Sequence, residues 1–412
     1  MRVAHILRKY DPSQWGGTET AVKQLLDGLR HHGTSSMVFA PSLDSVPSPD
    51  PFREAGHLIK RYKAHVPVFG ISREQKQQLV SVGGNLLSLD LFWQLRRTRP
   101  LDLIHTHTLN RIGGVALSVA RQRRLPLVVT IHGGVLDLPA SVKANLAAPL
   151  KGGWEWGKLF GFLFKSREVL ERADAVLTCN RREAELLRQK YPNKKVLVQP
   201  HGITLSRYAK DHRAALYNAW PQLNKKRFLL VLGRIDPVKN QGWVVEQFAE
   251  ILQHEPEVFL VLAGACTDEA YGKSLKKEVR NKGLESRAIF TEGLPPGDAR
   301  LIGLLQAASM LVVPSLSETF GLVLLEAWAA ATPVVSTRTS GALELVQDGS
   351  NGFLFDLEKP AEFHAGVAAL LSSAGTRERL GRAGHLLASE YDTVTLAGRV
   401  QQLYQELTQR NS

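Results

Sequence analysis

Glu318 and Glu326 stand with seven residues between them in the run Pro314-Ser315-Leu316-Ser317-Glu318-Thr319-Phe320-Gly321-Leu322, continued through Val323-Leu324-Leu325 to the second glutamate. On a helix that spacing puts two carboxylates about two turns apart on one face. The first belongs in the loop or at the helix start, the second further in. Such a pair can grip a polyhydroxylated ligand at two points. The N–H groups of Thr319, Phe320, Gly321 and Leu322, at a helix start, are placed to meet a phosphate. The plainer reading is two solvated glutamates. It suits Glu326 poorly, because Val323, Leu324, Leu325, Ala327 and Trp328 flank it and a charge in such company needs a polar partner.

Three further clusters could carry chemistry. Gly233-Arg234 directly follows the apolar run Phe228–Leu232, and Lys239-Asn240 comes after four intervening residues. Ligands of open α/β sheets bind beyond the carboxyl ends of strands. An Arg and a Lys there could neutralise a diphosphate, the Arg through planar bidentate contacts and the Lys as a point charge. Two ordinary surface cations are the alternative. Gly16-Gly17-Thr18-Glu19 opens the first helical segment. Its glycines let backbone approach a ligand and the helix start suits an anion, although a tight turn with Thr18 as N-cap reads equally well. No Walker or GxGxxG spacing is present, which removes the usual support for ATPase and dinucleotide readings. His105 and His107 end one apolar run, and His132 ends the next, before Gly133-Gly134. A three-histidine zinc site is conceivable. With no carboxylate nearby it is thin, so no metal is expected and one ring nitrogen offered to a ligand is preferred.

The elements that must position these residues alternate regularly. Apolar runs at Val3–Leu7, Met37–Ala40, Val66–Phe69, Leu103–His107, Leu127–His132, Ala175–Cys179 and Val196–Gln199 read as one series of buried strands. Phe228–Leu232, Val258–Ala263, Ala288–Thr291, Met310–Val313, Pro333–Ser336 and Gly352–Phe355 read as a second. Helix-periodic segments lie between them. In the first, Ala21, Leu25, Leu26 and Leu29 share a face and Gly33 stops the helix. Strand–helix alternation over 412 residues predicts two doubly wound α/β domains. The hinge falls at Gln199–Leu205, where Pro200 and Gly202 interrupt the pattern. A last helix, Thr393 to Thr408, carries Leu396, Val400, Leu403 and Leu407 in one stripe.

The formal net charge is +13 and the pI about 9.7, which favours anionic partners. The cations cluster at Arg96, Arg97 and Arg99, at Arg121, Arg123 and Arg124, and at Arg181 and Arg182. A solvated face and a membrane-surface role compete for them. A nucleic-acid binder would need interleaved aromatics that these clusters lack, so no nucleic-acid partner is expected. The two cysteines, Cys179 and Cys266, each lie in an apolar stretch and are expected as buried thiols. The first residues do not form a signal peptide, and no stretch reaches about 18 apolar residues, so a cytoplasmic protein is expected. Between Pro139 and Phe164 the chain holds Trp154, Trp156, Phe160, Phe162 and Phe164 with nearby lysines. This segment reads either as a core helix or as a contact for lipid.

Taken together, the clusters resemble the retaining glycosyltransferases of family 4. The resemblance covers essentially the whole chain. Its most specific parts are the E-x7-E stretch from Pro314 to Val335 and the GR-x4-K element from Gly233 to Lys239. It implies the GT-B architecture, two Rossmann-like doubly wound domains facing a central cleft. Residues 1–200 with 393–412 would form the acceptor domain, and 201–392 the nucleotide-sugar domain. The implied reaction transfers a sugar from a nucleotide-diphosphate donor to a glycan, lipid-linked or small-molecule acceptor. Configuration would be retained and neither cofactor nor metal required, in cell-envelope polysaccharide or glycoconjugate synthesis. Carried residue by residue, Gly16 and Gly17 would approach the donor, and Arg234 and Lys239 would bind the diphosphate. Glu318 would face the donor sugar, Thr319, Phe320, Gly321 and Leu322 would offer amides, Glu326 would hold the ribose and His132 would contact the transferred sugar. The chain departs from the family where Ala331 stands in place of a usual glycine, and where Ser340-Gly341 replaces a glycine pair. Peripheral contact with an anionic inner membrane face is a further expectation. A nucleotide-sugar epimerase or another enzyme of the same fold is the alternative.

Overall fold

The computed structural model describes residues 1–12, 15–42, 50–72, 75–76, 79, 86–137, 154–295 and 297–410. The chain forms two compact units. One comprises Met1–Pro12, Val22–Pro200 and Thr393–Ser412; the other comprises Ser13–Ala21 and His201–Asp392.

The first unit is built on a seven-stranded sheet of order β3-β2-β1-β5-β6-β8-β9. Its strands are β1 (Arg2–Ile6), β2 (Ser35–Pro41), β3 (Leu58–Tyr62), β5 (Leu103–Thr106), β6 (Leu127–Ile131), β8 (Ala175–Thr178) and β9 (Val196–Val198), and every pairing is parallel. Alternate side chains go to opposite faces. Ile104 and Val129 meet Ile112 and Val115 of the helix Asn110–Arg123 on one side. Leu103 and Val128 meet Leu29, Ala397, Val400, Leu403 and Leu407 on the other. The stripe of the helix Thr393–Gln409 thus completes this core.

Two strand expectations need correction. Val66–Phe69 is not a buried parallel strand: Val68–Phe69 (β4) pairs antiparallel with Trp154–Glu155 (β7), apart from the main sheet. Conversely, β3 had no counterpart among the apolar runs. It is an edge strand carrying Lys60 and Arg61, and charge on an edge masks the apolar signal.

The second unit holds a six-stranded parallel sheet of order β12-β11-β10-β13-β14-β15, from β10 (Phe228–Leu232), β11 (Phe259–Ala263), β12 (Ala288–Thr291), β13 (Met310–Val313), β14 (Val334–Thr337) and β15 (Gly352–Phe355). Leu229, Val231, Leu260, Leu262, Val312 and Val335 pack with Val244, Phe248 and Ile251 of the helix Gln241–His254 and with Phe363 and Val367 of the helix Pro360–Ser372. Order reverses between β10 and β13. The chain winds outward one way through β11 and β12 and the other way through β14 and β15, leaving a switch point at the carboxyl ends of the two central strands. Ala331, where the resemblance led to an expectation of glycine, follows the helix Leu322–Ala329 in the left-handed region at φ +57°. Among the described residues, no helix is long and apolar enough to cross a membrane. Cys179 is buried as expected; Cys266 is exposed, its Sγ 3.2 Å from the Asp268 carbonyl oxygen.

Candidate active site

In the second unit the loops after β10 and β13 bring the Arg234–Lys239 and Glu318–Glu326 elements to the switch point. The turn after β10 is pinned from β11: Gly233 N–H donates to Ala263 at 2.9 Å, and Ile235 N–H donates to Ala265 at 2.9 Å. A Cβ on Gly264 would lie 2.0 Å from the Gly233 carbonyl oxygen, so that approach requires glycine. Asp236 then organises both cations. Its Oδ1 accepts from the N–H groups of Val238 and Lys239 at 3.0 and 3.1 Å, while its Oδ2 lies 3.1 Å from the Arg234 guanidinium. Gln241 donates to the Arg234 carbonyl at 2.8 Å. Lys239 Nζ forms an ion pair with Glu318, both side chains being largely buried.

The loop after β13 is held from behind. Gly341 N–H donates to the Glu318 carbonyl at 2.8 Å, and a Cβ on Gly341 would lie 2.5 Å from the Phe320 nitrogen. The Ser340-Gly341 variation therefore keeps the glycine whose close approach fixes Thr319 and Phe320. The Phe320 ring is buried, 5.0 Å from His201 and 6.0 Å from Tyr391. Its side chain packs in the interior of the second unit. Burial lowers the His201 pKa to about 4, so that ring is neutral. Gly321 adopts φ +90° and Leu322 opens the helix. One turn on, burial raises Glu326 to about 7, with the Arg207 charge pulling the other way. Burial, reinforced by the Glu326 charge, raises neighbouring Tyr208 well above the usual phenol value. A carboxyl in this setting gains from hydroxyl donors.

Gly16 and Gly17 group with this unit. The helix Gly17–His31 begins at Gly17, so Thr18 lies in its first turn and is not the N-cap. The Gly16 carbonyl accepts from Thr20 at 3.1 Å, and a Cβ on Gly17 would stand 4.0 Å from Leu322 Cδ1.

His132 belongs to the first unit, just past β6, and is the end of a chain of imidazoles. His107 Nδ1 lies 2.9 Å from His132 Nε2, His5 Nδ1 lies 3.1 Å from His107 Nε2, and Ser36 Oγ lies 3.3 Å from His5 Nε2. His105 uses one ring nitrogen on Tyr404 Oη at 2.5 Å and the other on Thr130 Oγ1 at 2.6 Å. Burial lowers His5 to about 3 and His105 well below its usual value. Ring nitrogens of His5, His105 and His107 lie within 4.8 Å of one another. Hydrogen bonds to one another and to Ser36, Tyr404 and Thr130 nonetheless explain their placement without an ion. His132 is not part of that trio, so the grouping of His105, His107 and His132 weighed from sequence is not the one the fold assembles.

Four positions escaped the sequence reading: Arg207, Tyr208, Asp236 and Glu183. Asp236-Pro237 is a turn signal. Glu183 follows Asn180 by three residues, a capping-box pattern. Asn180 does cap the helix Arg181–Lys190, but the Glu183 carboxylate reaches the loop after His132, accepting the N–H groups of Val135, Leu136 and Asp137 at 3.0, 3.0 and 2.8 Å.

Two family models match the chain: Glycosyltransferase Family 4 over residues 15–207 and Glycosyl transferases group 1 over residues 215–386. A D-inositol 3-phosphate glycosyltransferase of Kribbella flavida is 30% identical over 380 residues, 89% of this chain and 85% of the relative. One from Nocardia farcinica is 31% identical over 293 residues, 69% of this chain; that match spans 61% of the relative's length, under two thirds. Among solved structures, Anabaena Alr3699/HepE in complex with UDP-glucose is similar with a TM-score of 0.76 at 18% identity, covering 98% of this chain and 100% of that one. Sucrose-phosphate synthase from Thermosynechococcus elongatus gives 0.74 at 22% identity, covering 98% of each chain. At these identities the structural likeness speaks to the fold.

Proposed function

The chain belongs to the glycosyltransferases of group 1 and family 4, and on that premise we propose that it is a retaining enzyme drawing on a nucleotide-diphosphate sugar. The fold is of the GT-B type and the activity class is glycosyl transfer. The observation that carries the donor reading is the placement of Arg234, Lys239 and Glu318 together at the carboxyl ends of β10 and β13, where strand order reverses. An anion reaching this point meets two cations already oriented by Asp236 and Glu318. Lys239 has three N–H donors, so it can serve a phosphate oxygen while keeping Glu318.

In this reading the bond from the anomeric carbon to the β-phosphate oxygen breaks. The acceptor hydroxyl oxygen bonds that carbon from the same face, and its proton passes to the departing phosphate. Arg234, Lys239 and the amides of Thr319 to Leu322 stabilise the charge on the leaving diphosphate. Glu318 accepts hydrogen bonds from the donor sugar, Glu326 from the ribose, and His132 contacts the transferred sugar. Gly16 and Gly17 admit the donor to close backbone contact. Cations and amides fill the part a divalent metal would play. The acceptor is a glycan, a lipid-linked carrier or a phosphorylated polyol such as the inositol 3-phosphate named for the relatives. The setting is envelope polysaccharide or glycoconjugate synthesis, with the enzyme cytoplasmic and peripheral to the membrane.

The test is release of nucleoside diphosphate from UDP-, GDP- and ADP-sugars, with inositol 3-phosphate, glycan or lipid-linked acceptors, beside Lys239→Ala. UDP-glucose is the first donor to try, since HepE binds it. Release from one donor, lost in the variant, supports the reading, and the anomeric proton coupling of the product reports retention. Absence of release from every donor, with no thermal stabilisation by any nucleoside diphosphate, overturns it.

A further inference from the structure

The first unit carries an apolar and basic face that the donor chemistry does not use. β4 sets Phe69 opposite Trp154 of β7, with rings stacked at 6.1 Å and 8°. Phe69 also stacks on Trp156 at 6.0 Å, and Trp156 meets Phe160 edge-on at 6.0 Å. The short helix Lys158–Leu163 turns Phe160 toward the core. Phe164, which ends it, is buried with its ring 5.9 Å from Phe92. The inward positions are thus filled, yet Leu159, Phe162 and Leu163 still face solvent. Together with Trp154 and Phe69 they are 61% to 85% exposed. Beside Phe92, exposed Trp93 has the guanidinium groups of Arg96 and Arg97 each 5.6 Å from its ring. The core-helix reading of the segment from Pro139 to Phe164 therefore holds for Phe160 and Phe164 and fails for Leu159, Phe162 and Leu163, while residues 139–153 lie outside the described residues.

Charge frames the apolar side chains. Lys158 and Lys165 stand at the two ends of the helix, Arg167 follows, and Arg96 and Arg97 lie on the neighbouring helix Leu89–Arg97; all five are exposed. Two of the nearby carboxylates are taken up by other cations. Glu155 is paired with buried Arg111, and Glu168 with Arg172. Large apolar side chains that stay in water mark an interaction surface. Tryptophan and phenylalanine ringed by lysine and arginine is the composition that settles at lipid headgroup level, apolar side chains entering the acyl boundary and cations meeting anionic headgroups. We propose that this face, comprising Phe69, Trp93, Trp154, Leu159, Phe162 and Leu163 with its rim of cations, docks the protein on a bilayer containing anionic lipid. The surplus of 52 Lys and Arg over 39 Asp and Glu acts in the same direction at longer range.

The experiment is co-sedimentation with vesicles of phosphatidylcholine alone and with vesicles in which a third of the lipid is phosphatidylglycerol. The variants are Leu159→Ser with Phe162→Ser, and Lys158→Glu with Lys165→Glu. Thermal melting checks the fold, which these exposed positions should leave unchanged. The wild-type chain is expected on the anionic vesicles and largely absent from the neutral ones, with binding that falls as salt rises. Each double variant should lower partitioning by about tenfold or more. Release of nucleoside diphosphate with a soluble acceptor should stay unchanged, so loss of the donor reading would leave this result standing. The proposal is overturned by failure to bind anionic vesicles, by variants that bind like wild type, or by a wild-type dimer that the Leu159→Ser, Phe162→Ser variant dissolves, which would assign the face to a second copy.

Discussion

Nδ1 of His107 lies 2.9 Å from Nε2 of His132, and behind it His5 and Ser36 extend the same line of hydrogen bonds into the sheet. A neutral imidazole has one N–H and one acceptor, so each ring in such a line fixes the tautomer of the next. Burial keeps His5 neutral at physiological pH, its pKa lowered to about 3. At that ring the direction of the line is then set by its hydrogen-bond partners, Ser36 and His107.

His107→Ala should therefore lower kcat/KM by about tenfold to a hundredfold, the usual consequence of a small misplacement of a reacting group. His107→Asn, which keeps a polar atom near the Nδ1 position, should recover part of the loss. Steady-state kinetics at matched melting temperatures makes the comparison. Equal activity in wild type and His107→Ala would show that the orientation of His132 does not depend on its neighbour.

Asp236 links Arg234 to the Lys239 backbone, and its two oxygens can be separated by substitution. Asp236→Ala should weaken nucleoside diphosphate binding by about tenfold, a loss of about 1–2 kcal/mol. Asp236→Asn keeps an acceptor for the two N–H groups and should fall between the alanine variant and wild type. Calorimetric titration with UDP measures both. Tighter binding by the alanine variant would mean that Asp236 competes with phosphate for Arg234.

Glu326 titrates at about 7 in the folded chain against 4.5 for an unperturbed carboxyl. Between those values the folded state holds a proton that the unfolded state has released. Its stabilising contribution is thus complete below pH 4.5 and is lost as pH rises through 7. Glu326→Gln should flatten that part of the melting profile, by about 2 kcal/mol between pH 5 and pH 8. Ribose hydroxyls favour the ionised carboxylate, so donor binding near pH 7 should release a proton. Titration calorimetry in buffers of different ionisation enthalpy would detect it, and a buffer-independent enthalpy in wild type would refute the assignment.

Ala331 occupies the left-handed region at φ +57°. That conformation costs a residue with a Cβ about 1–2 kcal/mol, and glycine gives back part of the gain through its unfolded-state entropy. Ala331→Gly should raise stability by about 0.5–1 kcal/mol, or about 1–4 °C in melting temperature. A lower melting temperature would show that the Ala331 methyl packs usefully.

The legible parts of this fold were those where a pattern repeats. The central strands are apolar on both faces, and twelve of the thirteen apolar runs marked strands of the two main sheets without pairing information. β3 escaped because its Lys60 and Arg61 make an edge strand look like a loop, and β4 misled because Val68 and Phe69 are apolar without joining the main sheet. In the candidate site, residues whose types name a chemistry stood out: Arg234, Lys239, Glu318 and Glu326. Those that act by holding others did not. Asp236 is recognisable once its oxygens are seen to reach two N–H groups and a guanidinium, and Glu183 once its carboxylate is seen on Val135 to Asp137. His5 lies over 100 residues from its partner His107, and no local window connects them.

The helix Thr393–Gln409 belongs to the first unit although the whole of His201–Asp392 is translated before it. Its Tyr404 meets a histidine 299 positions upstream. On the ribosome, then, the later unit has nearly all of its chain in hand while the earlier one still shows Val3, Leu103 and Val128 on a sheet face that this last helix has yet to cover. Synthesis runs against the usual order in which N-terminal domains finish first. The nascent first unit is left sticky for the time that some 190 residues take to emerge, about ten to forty seconds at ordinary elongation rates. A chaperone that shields apolar sheet surface would find its client there, and a stop codon just before Thr393 should yield an aggregating product even though every residue assigned to sugar transfer has been made.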